Sequence, residues 1–181
     1  MTTARFLTTL AGVLLALPSA QALDLRPGGV FAQAGSGDHS MNAAAVGLVW
    51  PWSWQHAMGP GQWTGYTEAY VSRWNARASG GRANFDHVGV VPMFRYRWSG
   101  GRSPWFAEGG VGVIYMDRLF ASDAKRFSTR LNFADTLGVG RSFGEREQHE
   151  VTLRFSHFSN GGFKHPNPGQ NLVRLRYAYL F

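Results

Sequence analysis

A histidine and a serine lie two residues apart near the C-terminus, at His157 and Ser159. In an extended chain such residues project from the same face, with their Cα atoms about 7 Å apart. An imidazole ring can span much of that distance, and a serine hydroxyl needs a neighbouring base to become a nucleophile. The pair therefore indicates acyl transfer, although two unrelated polar residues account for so short a pattern more often.

The pair ends the apolar face of an alternating segment. One face carries Val151, Leu153, Phe155, His157 and Ser159, and the other carries Thr152, Arg154 and Ser156. This period of two residues predicts a β-strand.

The same period recurs along the chain, between clusters of Gly, Pro, Ser and Asn. About eight strands are predicted, near residues 28–35, 43–51, 64–75, 86–98, 105–117, 129–142, 149–160 and 171–181. Eight strands suit the smallest membrane barrels, whose closure pairs every backbone amide without a lipid-exposed edge.

A soluble β-sandwich or a lipocalin-like barrel would also show alternation. Three features favour a membrane barrel. First, aromatic residues lie on the apolar face at strand ends, as the interfacial girdles of membrane barrels require. Second, arginines lie on the opposite face. Third, the C-terminal residues form an alternating aromatic run. The aromatic residues are Trp98, Trp105, Tyr115, Tyr177, Tyr179 and Phe181; the arginines are Arg95, Arg97, Arg174 and Arg176. We therefore predict an all-β fold, an eight-stranded antiparallel transmembrane β-barrel of the bacterial outer membrane.

The N-terminus predicts a cleavable secretory signal peptide over residues 1–22, followed by the barrel over residues 23–181. Arg5 supplies a positive charge, residues 10–17 are apolar, and residues 20–22 form an A-x-A cleavage site. The apolar run is too short to span a bilayer, which argues against a membrane anchor.

The composition restricts the partners and cofactors. Lys and Arg total 18 against 11 Asp and Glu, and cysteine is absent. A basic chain favours anionic partners, either nucleic acid or phosphorylated lipids, and export argues against nucleic acid. The histidines outside the pair show no metal-ligand spacing, so we predict no metal and no cofactor. They are His39, His56, His87, His149 and His165.

The strand count also predicts an orientation. With both termini periplasmic, the seventh strand runs outward and residues 157–160 lie level with the outer leaflet. Residues 161–170 become an external loop, in which Pro166 and Pro168 cannot continue a ladder. By parity His157 and Ser159 face lipid, where a polar group near the interface costs only ~0–1 kcal/mol. A lipid-facing acyl-transfer pair suits a substrate that is itself a lipid.

Residues 157–169, HFSNGGFKHPNPG, carry a resemblance to a known family. The pattern H-x-S-N-x-G followed by P-N-x-G resembles the signature of the PagL family of outer-membrane lipid A 3-O-deacylases, and it falls on His157, Ser159, Asn160, Gly162, Pro166, Asn167 and Gly169. The resemblance implies that Ser159 is the nucleophile and His157 the general base. It also implies that Asn160 and Gly162 help form the oxyanion hole, where donors meet the charge that develops on the ester oxygen.

The residue that orients the histidine has two candidates. Where the family pattern has a glutamate, this chain carries Asn171, which can fix an imidazole tautomer but supplies no negative charge. The second candidate comes from strand pairing. If the turn before the seventh strand is centred near residues 145–146, Asp135 lies roughly opposite His157 on the lipid-facing parity, unless a bulge turns it inward.

The resemblance thus implies a carboxylic ester hydrolase that releases the 3-hydroxyacyl chain at position 3 of lipid A. Its partners would be the lipopolysaccharide of the outer leaflet and the outer membrane itself, in which the chain is multi-pass. A homodimer that buries part of the lipid-facing wall is compatible with this prediction. The alternatives are a non-catalytic barrel, serving as a structural protein, adhesin or small pore, and a phospholipase on the same scaffold.

Overall fold

The computed structural model describes residues 26–181. The predicted signal peptide lies outside the described residues and stays a prediction. Among the described residues, no helix is long and apolar enough to cross a membrane.

Eight antiparallel strands form one closed barrel in which each strand pairs with its neighbours in sequence and β1 pairs with β8. The strands are β1 (Gly29–Gly37), β2 (Met41–Met58), β3 (Gly61–Ala78), β4 (Gly81–Trp98), β5 (Trp105–Met116), β6 (Leu131–Phe143), β7 (His149–Ser159) and β8 (Gln170–Leu180). All eight predicted strands are confirmed. The prediction ended the second strand at residue 51, but β2 continues to Met58 because a register shift between Pro51 and Gln55 lets the pairing resume beyond the proline.

The two rims of the barrel differ in their connections. Residues 38–40, 79–80, 117–130 and 160–169 join strands at one end, which we call the upper rim. Short turns join strands at the opposite, lower rim. The segment 117–130, which we call the capping loop, is the longest connection among residues 26–181.

The outer wall of the barrel is apolar, whereas charged side chains lie in its interior. Leu137 and Leu153 are 67% and 59% exposed, whereas Arg154 and Arg176 are 2% and 0% exposed. A soluble sandwich or lipocalin has the reverse polarity, with its apolar side chains buried. The inverted pattern is the one that a lipid-embedded barrel needs, and it excludes both soluble alternatives.

Buried ion pairs fill the lower half of the barrel. Arg154 contacts Glu68 at 2.8 Å and Glu108 at 2.7 Å, and Tyr66 donates a hydrogen bond of 2.6 Å to Glu108. Arg95 adds a contact of 2.9 Å to Glu108. Such charges are tolerated in the interior because each carboxylate meets several donors.

An aromatic cluster fills the upper half. The Trp74 ring packs edge-on against Phe158 with centroids 4.9 Å apart, and against Phe120 at 5.5 Å and Phe127 at 6.3 Å. Phe120 and Phe127 belong to the capping loop and are 1% and 2% exposed. The capping loop therefore folds into the mouth of the barrel. Side chains occupy the lumen in both halves of the described barrel, which disfavours the small-pore alternative.

Candidate active site

The upper end of β7 places the predicted pair on the outer wall. His157 and Ser159 are partly exposed, whereas the intervening Phe158 is buried against Trp74. On the inner side Ser156 lies 2.8 Å from the Thr136 hydroxyl and accepts a 2.5 Å hydrogen bond from Arg174. These inward contacts hold one face of the strand end inside the barrel, so His157 and Ser159, which have the other parity, point outward.

His157 is hydrogen-bonded to the strand that follows it. Asn171 lies directly opposite His157 in the β7–β8 register, and its Oδ1 atom is 2.7 Å from His157 Nδ1. A carbonyl oxygen only accepts, so Nδ1 carries the proton in this contact. The other ring nitrogen, Nε2, then keeps its lone pair and can act as a base.

The second candidate, Asp135, lies on the opposite side of the histidine. It pairs directly with His157 in the β6–β7 register, which confirms the predicted alignment. Its side chain is exposed on the outer wall, so no bulge turns it inward. Within residues 26–181 the Asp135 carboxylate has no hydrogen bond or ion pair. Both neighbours predicted from the sequence are therefore adjacent to the histidine, and the imidazole contacts Asn171.

Ser159 is the last residue of β7. Its Oγ atom accepts a hydrogen bond of 3.4 Å from the Gly161 N–H. Within the described chain no hydrogen bond joins it to His157. Contacts between a nucleophile and its base are often long until a substrate binds, and the two side chains share one face and one end of the strand.

Asn160 and Gly162 form a turn directly after Ser159. Gly162 N–H donates to Asn160 Oδ1 at 3.0 Å, and the Asn160 N–H donates to Asn167 Oδ1 at 3.1 Å. The Asn160 amide nitrogen donates to the Lys164 carbonyl at 2.7 Å and to Ser128 of the capping loop at 3.0 Å. Asn160 is buried, and both residues use their donors to shape the turn. The N–H group that reaches Ser159 Oγ is that of Gly161, which the sequence analysis did not single out.

Gly169 is a second residue whose role the sequence did not reveal. Its φ is +64°, and a Cβ atom added there would lie 2.5 Å from His157 Cε1 and 3.2 Å from Nε2. The Gly169 backbone therefore lies against the imidazole ring, where a side chain has no room.

Asp38, in the 3-10 turn between β1 and β2, is a third residue whose role the sequence did not reveal. Its Oδ2 atom accepts hydrogen bonds from Asn171 Nδ2 at 3.2 Å and from Lys125 Nζ at 2.8 Å. The hydrogen bond from Lys125 lowers the pKa of the Asp38 carboxyl below its ordinary value, against the opposing effect of partial burial. Asp38 is 133 residues from Asn171 in sequence, so no local pattern signals this contact.

The described residues contain no group of three or more His, Cys, Asp or Glu side chains arranged to hold a metal ion. The upper end of β7 itself presents a hydroxyl, an imidazole and backbone N–H groups.

Comparison with known proteins identifies the family that this chain resembles. A family model described as lipid A 3-O-deacylase (PagL) matches residues 42–180. The lipid A deacylase PagL of Bordetella bronchiseptica is 35% identical over 170 residues, covering 92% of this chain and 90% of that protein. The protein of the same name from Pseudomonas aeruginosa is 31% identical over 168 residues, covering 91% and 93%. The crystal structure of the outer membrane enzyme PagL superposes with a TM-score of 0.73 at 28% identity, covering 84% of this chain and 99% of that one.

Proposed function

The chain belongs to the PagL family of lipid A 3-O-deacylases, and from that membership we propose that it works by serine–histidine catalysis. It is an outer-membrane barrel enzyme that removes the acyl chain linked as an ester at position 3 of lipid A. The serine esterase mechanism and the roles of single residues are the proposal.

One observation carries the mechanism. On the outer wall, the 2.7 Å contact between His157 Nδ1 and Asn171 Oδ1 leaves the second ring nitrogen basic, two residues from a serine on the same face. A histidine fixed in this tautomer is what general-base activation of a serine requires. The wall around the pair is apolar, as an acyl chain in the outer leaflet needs.

The first half of the reaction transfers the acyl group to the enzyme. His157 Nε2 takes the Ser159 hydroxyl proton while Oγ attacks the ester carbonyl carbon, and the carbonyl electrons move to the oxygen. When this tetrahedral intermediate collapses, the bond to the sugar oxygen breaks. His157 returns the proton to that oxygen, so deacylated lipid A leaves and the acyl chain stays on Ser159.

The second half regenerates the serine. His157 Nε2 removes a proton from water, whose oxygen attacks the acyl carbon. Collapse of the second intermediate breaks the bond to Oγ, and the proton returns to Ser159 as the 3-hydroxy fatty acid departs. Nucleophile, base and oxyanion donors are all groups of this chain, so we propose that the reaction needs no cofactor and no metal.

The turn after Ser159 is proposed to form the oxyanion hole. The Gly161 N–H already points at Ser159 Oγ, and Asn160 and Gly162 are assigned to the same hole. Gly162 N–H must exchange its 3.0 Å bond to Asn160 Oδ1 for the substrate oxygen to contribute. A donor of this kind is worth about 10²–10³ in kcat.

The membrane orientation follows from the site. We propose that the upper rim faces the cell exterior, because lipid A lies in the outer leaflet and the pair ends the outer wall at that rim. A homodimer stays a prediction.

Mass spectra of lipid A from cells expressing the protein test the activity. We expect the loss of one 3-hydroxyacyl group, and we expect Ser159→Ala and His157→Ala to abolish that loss while the barrel still folds. Ser36→Ala and His56→Ala alter exposed residues of the same types elsewhere on the outer wall and serve as matched controls.

The rival functions make different predictions in the same experiment. Unchanged spectra from a well-folded wild-type barrel would contradict the deacylase and favour a non-catalytic protein. Release of free fatty acid from pure glycerophospholipid, with lipid A untouched, would indicate a phospholipase.

A further inference from the structure

We propose that Asp38 is a positioning residue for catalysis, acting through Asn171 to set the tautomer of His157. This inference rests on the proposed function, because it concerns the base of the serine–histidine mechanism. It adds a carboxylate from the β1–β2 turn to a site whose other members lie on β7, on β8 and in the loop between them.

Three donors converge on one oxygen of Asp38. The Oδ2 atom accepts from Lys125 Nζ at 2.8 Å, from Asn171 Nδ2 at 3.2 Å and from the Asn171 backbone N–H at 3.4 Å. The opposite end of the same Asn171 amide contacts His157 Nδ1 at 2.7 Å. A continuous chain of hydrogen bonds therefore runs from the Lys125 ammonium to the imidazole.

This series of hydrogen bonds matters because an asparagine amide has two different ends. If Asn171 presents Oδ1 to the ring, Nδ1 must donate and Nε2 remains a base. If it presents Nδ2 instead, Nδ1 must accept, the proton moves to Nε2, and His157 cannot take the Ser159 proton. Asn171 alone does not decide between these two arrangements.

Asp38 decides it. An ionised carboxylate accepts hydrogen bonds and donates none, so its contact with Asn171 selects the NH₂ end of the amide. The Oδ1 end is then left for His157. A negative charge two hydrogen bonds from the ring thus determines which ring nitrogen carries the proton.

Lys125 holds Asp38 in that state. The lysine side chain is 12% exposed and the aspartate side chain 37% exposed, so water reaches the pair only in part. The titratable groups facing Asp38 are Lys125, from the capping loop, and the adjacent His39, and Lys125 is the main group that favours the ionised carboxylate. The lysine also neutralises the aspartate, so Asp38 acts on His157 by orientation more than by charge.

The barrel itself brings these groups together. In the closing β1–β8 pair, Gly37 lies opposite Leu172, so the turn after β1 meets the start of β8. The capping loop is anchored in the lumen by Phe120 and Phe127, and it delivers Lys125 to the same point.

The decisive experiment measures kcat and KM on purified lipid A in detergent micelles. Asp38→Asn keeps the size of the side chain but can present either a donor or an acceptor to Asn171. We expect kcat to fall about 10- to 100-fold, the range seen when the hydrogen-bond partners that orient metal-binding histidines are removed. KM should change little, because Asp38 does not touch the substrate. Asp123→Asn, an exposed carboxylate of the capping loop, is the matched control.

A double variant separates positioning from a structural role. Asp38→Asn combined with Asn171→Asp exchanges the carboxylate and the amide. The new carboxylate then accepts from His157 Nδ1, and its other oxygen accepts from the new amide, so the working tautomer is restored. We expect the exchange variant to recover most of the lost kcat. Its kcat should also exceed that of Asn171→Asp alone, in which two carboxylates face each other.

The outcomes are distinct. Wild-type kcat in Asp38→Asn, or an exchange variant no more active than Asp38→Asn, would overturn the role of Asp38. An inactive wild type, or an active Ser159→Ala, would instead contradict the proposed function. Folding is followed by heat-modifiable migration on gels. If Asp38→Asn does not fold, Asp38→Glu and Asp38→Gln provide the same contrast, and equal kcat in those two would likewise overturn the proposal.

Discussion

Gly169 offers the most direct test of how closely the histidine must be held. An alanine Cβ at this position would lie 2.5 Å from His157 Cε1, whereas carbon atoms in contact prefer about 3.5–4.0 Å. The imidazole must therefore move by about 1 Å to accommodate the methyl group. A misplacement of 1 Å in a catalytic group costs about 10²-fold in rate. We expect Gly169→Ala to lower kcat by roughly that factor.

The same substitution also strains the backbone, and a control variant removes that effect. At φ +64° an alanine pays roughly 1–2 kcal/mol for the left-handed conformation. Gly100, in a lower-rim turn, has φ +63° and open space where a Cβ would lie. Gly100→Ala therefore carries the same strain without touching the site, and it should lose stability while kcat stays near that of the wild type.

The assay compares kcat on lipid A in micelles with the urea midpoint of unfolding for both variants. We expect similar losses of stability and a difference of about two orders of magnitude in kcat. A Gly169→Ala variant that turned over lipid A within a few-fold of Gly100→Ala would show that the imidazole tolerates the added methyl group.

Three further predictions concern the histidine partners and the interior. Asn171→Ala should lower kcat on lipid A by about 10- to 100-fold, and by more than Asp135→Asn; the reverse order would make Asp135 the orienting residue. Lys125→Met removes the main cause of the lowered pKa of Asp38, so protonation of this carboxylate on acidification moves to higher pH. The ratio of variant to wild-type kcat should then fall as the pH drops from neutral towards 3.8, the ordinary pKa, and a constant ratio would contradict this. Arg154→Met removes one of the two arginines that contact each of the buried carboxylates Glu68 and Glu108, and it should cost about 3–5 kcal/mol in urea unfolding; an unchanged midpoint would contradict the stabilising role of the ion pairs.

Much of the fold could be predicted because a barrel wall repeats with period two. The alternation in residues 87–98 assigns Val88 and Val90 to the outer face and Arg95 to the interior, and the structure confirms these assignments. The ends of β2, β3 and β4 were less predictable. These strands reach 18 residues each, and beyond the apolar band their residues need no alternation, so the pattern ends before the hydrogen bonding does.

The candidate site was predictable only on β7 and on the two strands that pair with it, β6 and β8. Counting from the turn before β7 placed Asp135 opposite His157, and the motif placed Asn171 near it; both are cross-strand neighbours of the histidine. Register alone could not decide which of them the imidazole contacts. That choice depends on the side-chain environment, in which Asp38 and Lys125 engage Asn171.

The sequence by itself determined which side chains face lipid and which face the interior, because side-chain direction in a strand depends only on parity. It also determined that a serine and a histidine share one strand end. Only the tertiary structure decided what surrounds them. Closure of β1 on β8 brings Asp38 to Asn171 across 133 residues, and the capping loop brings Lys125 to Asp38 across 87. Such contacts depend on how the ring closes and how its mouth is packed, and no local pattern encodes either.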